Sequence, residues 1–199
     1  RDFLWLAARF PDLKNRLIET GSPRIDLLQL GPNPSTAGMV ERPYILVSSN
    51  FGIPSWGLLD QIRRIEDQGI ELRNPMGVRT WLKRYGKKLS QLEDFLLFLE
   101  ELGSLAEDYE VVLRPHPTED PSLWETLCHD FDRVSVRKTG GSEEWVNGAK
   151  LVIHSGCTLG LEAFVAGVPV ASFRPNESVD EFGQSDLLGT AVKTATDVL

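Results

Sequence analysis

Several features that define other classes of protein are scarce in this chain. It has only two cysteines in 199 residues, and Cys128 and Cys157 lie in different contexts, so no disulfide framework is indicated. No apolar run approaches the roughly 20 residues that a membrane-spanning helix needs, and no signal peptide is visible. We therefore expect a globular protein of a reducing, cytoplasmic compartment, with a position at the inner face of a membrane left open.

Basic residues are also fewer than acidic ones. The chain has 29 acidic against 21 basic residues, a formal net charge of -8, whereas a general nucleic-acid surface needs a basic stripe. The spacings of the three histidines and two cysteines match no zinc pattern, so no metal is expected. A Walker-type lysine loop, a G-x-G-x-x-G after a strand and a G-x-S-x-G elbow are all missing. These absences exclude several common enzyme classes but leave a small anionic ligand open.

Strand-like and helix-like segments alternate from residue 44 onward, which predicts an α/β, Rossmann-like parallel sheet with helices on both faces. The predicted strands are Tyr44–Ser49, Glu110–Arg114, Arg133–Arg137, Leu151–His154, Val168–Phe173 and Thr190–Lys193. The predicted helices are Leu92–Glu107, Ser122–Asp130, Glu143–Ala149 and Thr158–Ala166. A capping box of Ser90 with Glu93 is expected to begin the first helix. Residues 52–88 resist assignment apart from a partly helical stretch at 56–68.

The N-terminal part differs in composition from the rest. Residues 2–19 have near-helical apolar spacing interrupted at Pro11, and residues 31–43 hold three prolines and two glycines, which is linker composition. We expect a remnant of an N-terminal domain at 1–30, a linker at 31–43 and a Rossmann-like domain at 44–199. The start at Arg1 and the stop at Leu199 suggest a piece of a longer protein.

The stretch from Leu151 to Ala163 is the most informative part of the chain. A short apolar strand enters the turn at Ser155 and Gly156, and a helix follows. Small residues before a helix let backbone N–H groups approach an anion, which predicts a phosphate site at 155–158. Glu162, among apolar neighbours, is then placed to accept hydrogen bonds from a ribose. The alternatives are a Ser or Thr helix cap and a solvent-facing Glu162.

Two further strand ends carry candidate residues. Arg114-Pro115-His116-Pro117 closes the second strand, where Arg114 can pair with a phosphate and His116 can donate to it or act as a catalytic acid or base. A stiff turn is the alternative. Asn50 and Phe51 follow the first strand and are candidates for a donor or acceptor contact, with a capped turn as the alternative. Cys157 at a helix start is a weaker candidate nucleophile, because no orienting Asn or Asp for a Cys–His pair is evident.

Taken together, these motifs resemble a known group of proteins. The motifs are Gly21–Leu28, Ser48–Phe51, Arg114–Pro117, His154–Thr158 and Glu162–Ala163. In this order they resemble the C-terminal half of GT-B-type glycosyltransferases of surface carbohydrate biosynthesis. More distant similarity runs to capsule Kdo transferases, CDP-glycerol glycerophosphotransferases and non-hydrolysing UDP-N-acetylglucosamine 2-epimerases. The resemblance covers roughly residues 15–195, and Ser22 stands where the family usually has Asn.

The resemblance implies a specific use of these residues. Ser155, Gly156, Cys157 and Thr158 would contact the donor phosphates, with Arg114 and His116 near them and Glu162 on the ribose. The donor would be a CMP-, CDP- or UDP-linked sugar and the acceptor a glycan or a lipid-linked glycan, with no metal cofactor. Catalysis would need the absent N-terminal domain, so the fragment alone is expected to be inactive. A UDP-sugar 2-epimerase and a non-catalytic nucleotide-binding module remain alternatives.

Overall fold

A computed structural model describes residues 2–18, 25–26, 28, 40–52, 66, 74–175 and 184–199. The helices are α1 (Asp2–Arg9), α2 (Pro75–Leu105), α3 (Pro121–Leu127), α4 (Ser142–Gly148) and α5 (Leu159–Val165). The strands are β1 (Tyr44–Ser48), β2 (Glu110–Arg114), β3 (Val134–Val136), β4 (Leu151–His154), β5 (Val170–Phe173) and β6 (Thr190–Val192). Short 3-10 helices span Pro11–Arg16, Gln184–Leu187 and Ala195–Asp197.

The six strands form one parallel sheet in the order β3-β2-β1-β4-β5-β6. From β1 the chain builds outward through β2 to β3, then crosses back to β4 on the other side of β1. The strand order therefore reverses between β1 and β4. Doubly wound sheets of this order bind ligands in the crevice at that reversal, outside the carboxyl ends of the strands. The predicted Rossmann-like α/β fold is confirmed.

Helices cover both faces of the sheet, because the central strands bury their side chains in two separate cores. In β1, Ile45 and Val47 face a core that α2 and α3 complete with Phe95, Leu99 and Trp124. The alternate β1 residues, Tyr44 and Leu46, face a second core completed by α4 and α5. All five residues of β1 are buried. This is why the strands read as continuous apolar runs and not as alternating ones.

The start of α2 corrects a prediction. The helix begins at Pro75, with the Asn74 Oδ1 accepting a hydrogen bond from the Met76 N–H at 2.9 Å, and Ser90 and Glu93 lie inside it. The predicted capping box at Ser90 is therefore wrong. Asn before Pro is a good helix start because Asn caps the free amides and Pro needs no N–H partner at the first position.

The remaining boundaries agree with the predictions to within a few residues. α1 and the 3-10 helix after it replace the helix predicted at 2–19, with the break at Pro11. Most of the predicted linker and the predicted helical stretch at 56–68 lie outside the described residues. Within the described part of the chain, no helix combines the length and apolar character that a membrane crossing requires.

Candidate functional site

A cavity of about 180 Å³ lies at the carboxyl ends of β1, β2 and β4, where the strand order reverses. Its lining comes from four separate stretches of chain. These residues are Ser48, Ser49, Arg114, Pro115, His116, Pro117, Ser142, Cys157, Thr158, Leu159 and Glu162. Five predicted site residues therefore share one cavity, whereas Asn50, Phe51, Ser155 and Gly156 are not among the described residues that line it.

The turn from β4 to α5 leaves backbone donors without backbone acceptors. Gly156 has φ +69°, a left-handed conformation that glycine adopts without steric cost. Within the described part of the chain, none of the amides of residues 155–158 donates to a backbone carbonyl. Thr158 occupies the N-cap position of α5, but its hydroxyl makes no capping hydrogen bond. The Thr158 cap that was the plain alternative is therefore not present.

Glu162 lies in the first turn of α5 and lines the cavity. Its side chain is only 4% exposed, although it neighbours apolar residues on the helix. The solvent-facing alternative for this residue is therefore wrong. A carboxylate buried at the wall of a polar cavity can accept hydrogen bonds from hydroxyl groups that enter it.

Cys157 is held by the neighbouring strand. Its Sγ lies 2.9 Å from the Ser48 Oγ at the end of β1. Burial is the main cause that raises the pKa of the Cys157 thiol, and the contact with Ser48 only partly offsets it. A raised pKa keeps the sulfur protonated near neutral pH, and the thiolate is the nucleophilic form. The geometry therefore opposes a nucleophilic role and favours Cys157 as part of the cavity wall.

Arg114 is anchored at the end of β2. Its two terminal nitrogens donate to the carbonyls of Thr139 at 2.8 Å and Gly140 at 3.0 Å. Its guanidinium also lies 5.5 Å from the centre of the Trp145 ring. Burial lowers the pKa of Arg114, and the carboxylate of Glu143 acts in the opposite direction. A guanidinium has five N–H donors, so the anchored side chain keeps donors for a ligand.

The hydrogen bonds of His116 favour one neutral form of its ring. Its Nδ1 lies 2.8 Å from the Thr118 Oγ1 and accepts from the Thr118 N–H at 3.3 Å. A ring nitrogen that accepts from an amide carries no proton, so we infer that Nε2 holds the proton in the neutral ring. His116 is then arranged to donate from Nε2, as a contact to a phosphate oxygen requires.

Glu119 is a buried residue beside the site that was not predicted from the sequence. It is 2% exposed, and its Oε2 accepts from the Trp124 Nε1 at 2.9 Å and the His116 N–H at 3.3 Å. The Ser49 hydroxyl also donates to Oε2, and the Phe51 N–H donates to Oε1. One buried carboxylate thus ties the loop after β1 to the loop after β2. An Asp or Glu shortly after a strand-end motif was the available signal.

Asn50 and Phe51, in the loop after β1, contact neighbouring elements without lining the cavity. The Asn50 Nδ2 donates to the Gly156 carbonyl at 3.1 Å, which links the ends of β1 and β4 across the reversal point. The Phe51 ring is 2% exposed and packs 5.0 Å from the Phe95 ring in the core. The side chain of Phe51 is therefore a core residue, and the predicted ligand contact is wrong for its ring.

No protein-family profile matches this sequence, and no curated protein matches it either. Among the solved structures that are similar in part are two of KpsC from Thermosulfurimonas dismutans. The beta Kdo 2,7 transferase is 16% identical with a TM-score of 0.37, over 74% of this chain and 38% of its own. The beta Kdo 2,4 transferase is 14% identical with a TM-score of 0.38, over 86% of this chain and 44% of its own. The chain thus spans less than half the length of either, and similarity at this level assigns no function.

Among the described residues, no group of three or more His, Cys, Asp or Glu side chains is arranged to hold a metal ion. What the cavity brings together instead is one cation at Arg114, one buried carboxylate at Glu162, a histidine and several hydroxyls. This combination suits a ligand that has both a phosphate and a sugar.

Proposed function

We propose that this chain is the donor-binding domain of a nucleotide-sugar-dependent glycosyltransferase of surface polysaccharide biosynthesis. The observation that carries the proposal is the cavity at the reversal between β1 and β4, which gathers Arg114, His116 and Glu162. Doubly wound sheets bind nucleotides at this point, and these side chains complement the phosphate and the ribose of such a ligand.

The phosphates bind against the β4–α5 turn in this proposal. The amides of Cys157 and Thr158, the turn residues that line the cavity, donate to the phosphate oxygens. The unused donors of Arg114 and the Nε2 of His116 add further hydrogen bonds. Charge-assisted bonds of this type are about twice as strong as neutral ones. The amides and Arg114 supply the positive charge that a metal supplies in other phosphate sites, so the proposal includes no metal.

The ribose hydroxyls donate to the buried carboxylate of Glu162. The cavity of about 180 Å³ is smaller than the roughly 300–1,000 Å³ of typical small-molecule sites. It therefore encloses only the phosphate and ribose, and the base and the transferred sugar contact residues beyond it.

Transfer breaks the bond between the anomeric carbon and the phosphate oxygen and forms a bond from that carbon to an acceptor hydroxyl. The phosphate leaves with the electron pair of the broken bond, and the hydroxyl proton passes to a base. Arg114, His116 and the turn amides stabilise the charge that develops on the leaving phosphate. A glycan or a lipid-linked glycan is the acceptor in this proposal, and a second domain carries its binding site.

Thermal unfolding with a panel of CMP, CDP, UDP and GDP and their sugars tests the binding step. At 100 times Kd a ligand stabilises by about 2.7 kcal/mol, which raises Tm by roughly 5–11 °C for a domain of this size. Glu162→Gln is expected to reduce this rise, and Glu125→Gln, an exposed substitution on α3, to leave it unchanged. If no member of the panel raises Tm, the proposal is wrong.

Turnover then separates the enzyme classes. A transferase consumes the donor only with an acceptor, whereas an epimerase converts UDP-N-acetylglucosamine alone. Binding without turnover in a longer protein that includes the second domain indicates a non-catalytic module.

A further inference from the structure

The charges of α2 are divided between its two halves. Residues 75–92, here called the basic segment, contain five basic residues and no acidic one: Arg79, Lys83, Arg84, Lys87 and Lys88. The rest of the helix, residues 93–105, contains four acidic residues and no basic one: Glu93, Asp94, Glu100 and Glu101. The whole chain has a net charge of -8, so the basic segment is an exception within an acidic protein.

This arrangement does not help the helix itself. Arg79 and Lys83, Lys83 and Lys87, and Arg84 and Lys88 are like-charged pairs four residues apart. Such pairs destabilise a helix by about as much as opposite pairs stabilise it. The first turn of α2 also lacks the acidic residues that would favour its N-terminus. An opposite charge outside the helix would reduce this repulsion.

The basic segment also presents apolar side chains to solvent. Leu82 is 52% and Leu89 is 41% exposed, and their seven-residue spacing places them on one side of the helix. Arg79 and Lys83 are exposed beside them. The fully buried residues of α2 all lie farther along, beginning at Phe95, and within the basic segment Leu92 packs partly against the core. Basic residues flanking exposed leucines form the pattern of a helix that lies on a membrane surface.

We propose that the basic segment of α2 binds an anionic phospholipid surface. Lys and Arg side chains would contact the lipid phosphates, while Leu82 and Leu89 enter the boundary with the acyl chains. A nucleic acid would satisfy the basic residues but not the leucines between them. Exposed Glu93 lies one helical turn beyond Leu89, so the contact proposed here is confined to residues 79–89. Charges more than about 8 Å from these residues are largely screened at physiological salt.

The basic segment contacts the loop after β1, beside the candidate site. The Lys88 Nζ donates to the Asn50 carbonyl at 3.4 Å and lies 5.7 Å from the centre of the Phe51 ring. A membrane surface bound to the basic segment would therefore lie close to the loop after β1. The proposal does not depend on the function proposed above, because it rests on charge and exposure alone.

Sedimentation with vesicles tests the proposal on the full chain. Vesicles of phosphatidylcholine alone are compared with vesicles of equal phosphatidylcholine and phosphatidylglycerol, at low and high salt. Binding is expected only to the anionic vesicles and is expected to weaken at high salt. Each basic residue near an anionic surface contributes about a factor of five in affinity. The triple variant Arg79→Gln/Lys83→Gln/Arg84→Gln is therefore expected to bind about 100-fold more weakly.

Two further variants complete the test. The matched control Lys14→Gln/Arg137→Gln/Lys150→Gln removes the same charge from exposed positions elsewhere and is expected to bind as the wild type does. Leu82→Ser/Leu89→Ser is expected to weaken binding with the charge unchanged, and circular dichroism checks that each variant keeps its helices. Equal binding to both vesicle types, equal losses in the two triple variants, or retention by duplex DNA without vesicle binding each overturns the proposal.

Discussion

Replacing Glu119 with glutamine is the sharpest test of how the site is held together. The substitution keeps the size of the side chain but turns one of the two acceptor oxygens into an N–H₂ donor. Four groups donate to this carboxylate: the Ser49 hydroxyl, the Trp124 Nε1 and the backbone amides of Phe51 and His116. At least one of these buried donors must then face another donor.

The expected loss of stability follows from that count. A buried hydrogen bond to a charged group contributes about 1.5–3 kcal/mol. The bonds that survive are weaker, because they now end on a neutral oxygen. We therefore expect Glu119→Gln to lower the free energy of unfolding by about 3 kcal/mol. For a domain of this size, that corresponds to a fall in Tm of roughly 6–12 °C.

Urea titration followed by tryptophan fluorescence measures this loss, with Glu125→Gln at an exposed position of α3 as the control. Ser49→Ala, alone and combined with Glu119→Gln, completes a double-mutant cycle that isolates one of the four bonds. A loss below about 1 kcal/mol for Glu119→Gln, or one equal to that of the control, refutes the view that this carboxylate ties the two loops together.

Four other predictions concern Gly160, Gly86, Tyr44 and Cys157. Gly160→Ala is expected to cost about 1–3 kcal/mol, because the added Cβ would overlap the buried ring of His154. Gly86→Ala, which has open space around the added Cβ, is expected to stabilise α2 by about 0.5–1 kcal/mol. If the Gly160 and Gly86 variants lower the urea midpoint equally, this reasoning is contradicted. Burial raises the pKa of Tyr44 from 10.0 to about 12, so its share of stability is complete below pH 10 and is lost as pH rises toward 12. The free energy of unfolding should therefore fall over that pH range by roughly 2–3 kcal/mol more in the wild type than in Tyr44→Phe. The same pH dependence of stability in the two proteins would disprove this prediction. Because burial also raises the pKa of Cys157, iodoacetamide at pH 8 is expected to modify it more slowly in the native protein than in urea. Equal rates of modification, measured by mass spectrometry, would contradict this prediction.

The sheet was predictable because its strands are buried on both faces. Continuous apolar runs rich in valine, such as Val111 to Leu113, favour buried strands, and the proline and glycine that follow α5 mark its end clearly. The positions of Arg114, Cys157 and Glu162 followed in turn, since the carboxyl ends of parallel strands meet at one edge of the sheet.

Most of what the sequence did not predict depends on contacts between distant residues. Glu119 follows shortly after the motif that ends β2, but its burial becomes visible only when the loops after β1 and β2 meet around it. The start of α2 was missed for a different reason, because Ser90 and Glu93 imitate a cap inside a helix. Phe51 lies just after a strand end, a position that also suits a ligand contact. Only the packing of α2 shows that its ring belongs to the core.

The cavity wall is assembled from stretches of chain as far apart as Ser48 and Glu162. Contacts over such sequence separations form late in folding, because the entropy of closing the intervening loops must be overcome first. A partly folded chain in which β1 and β4 have not yet paired would therefore have helices but no pocket. Ligand capture during refolding would thus report the final long-range pairing of the sheet, later than the recovery of helical circular dichroism.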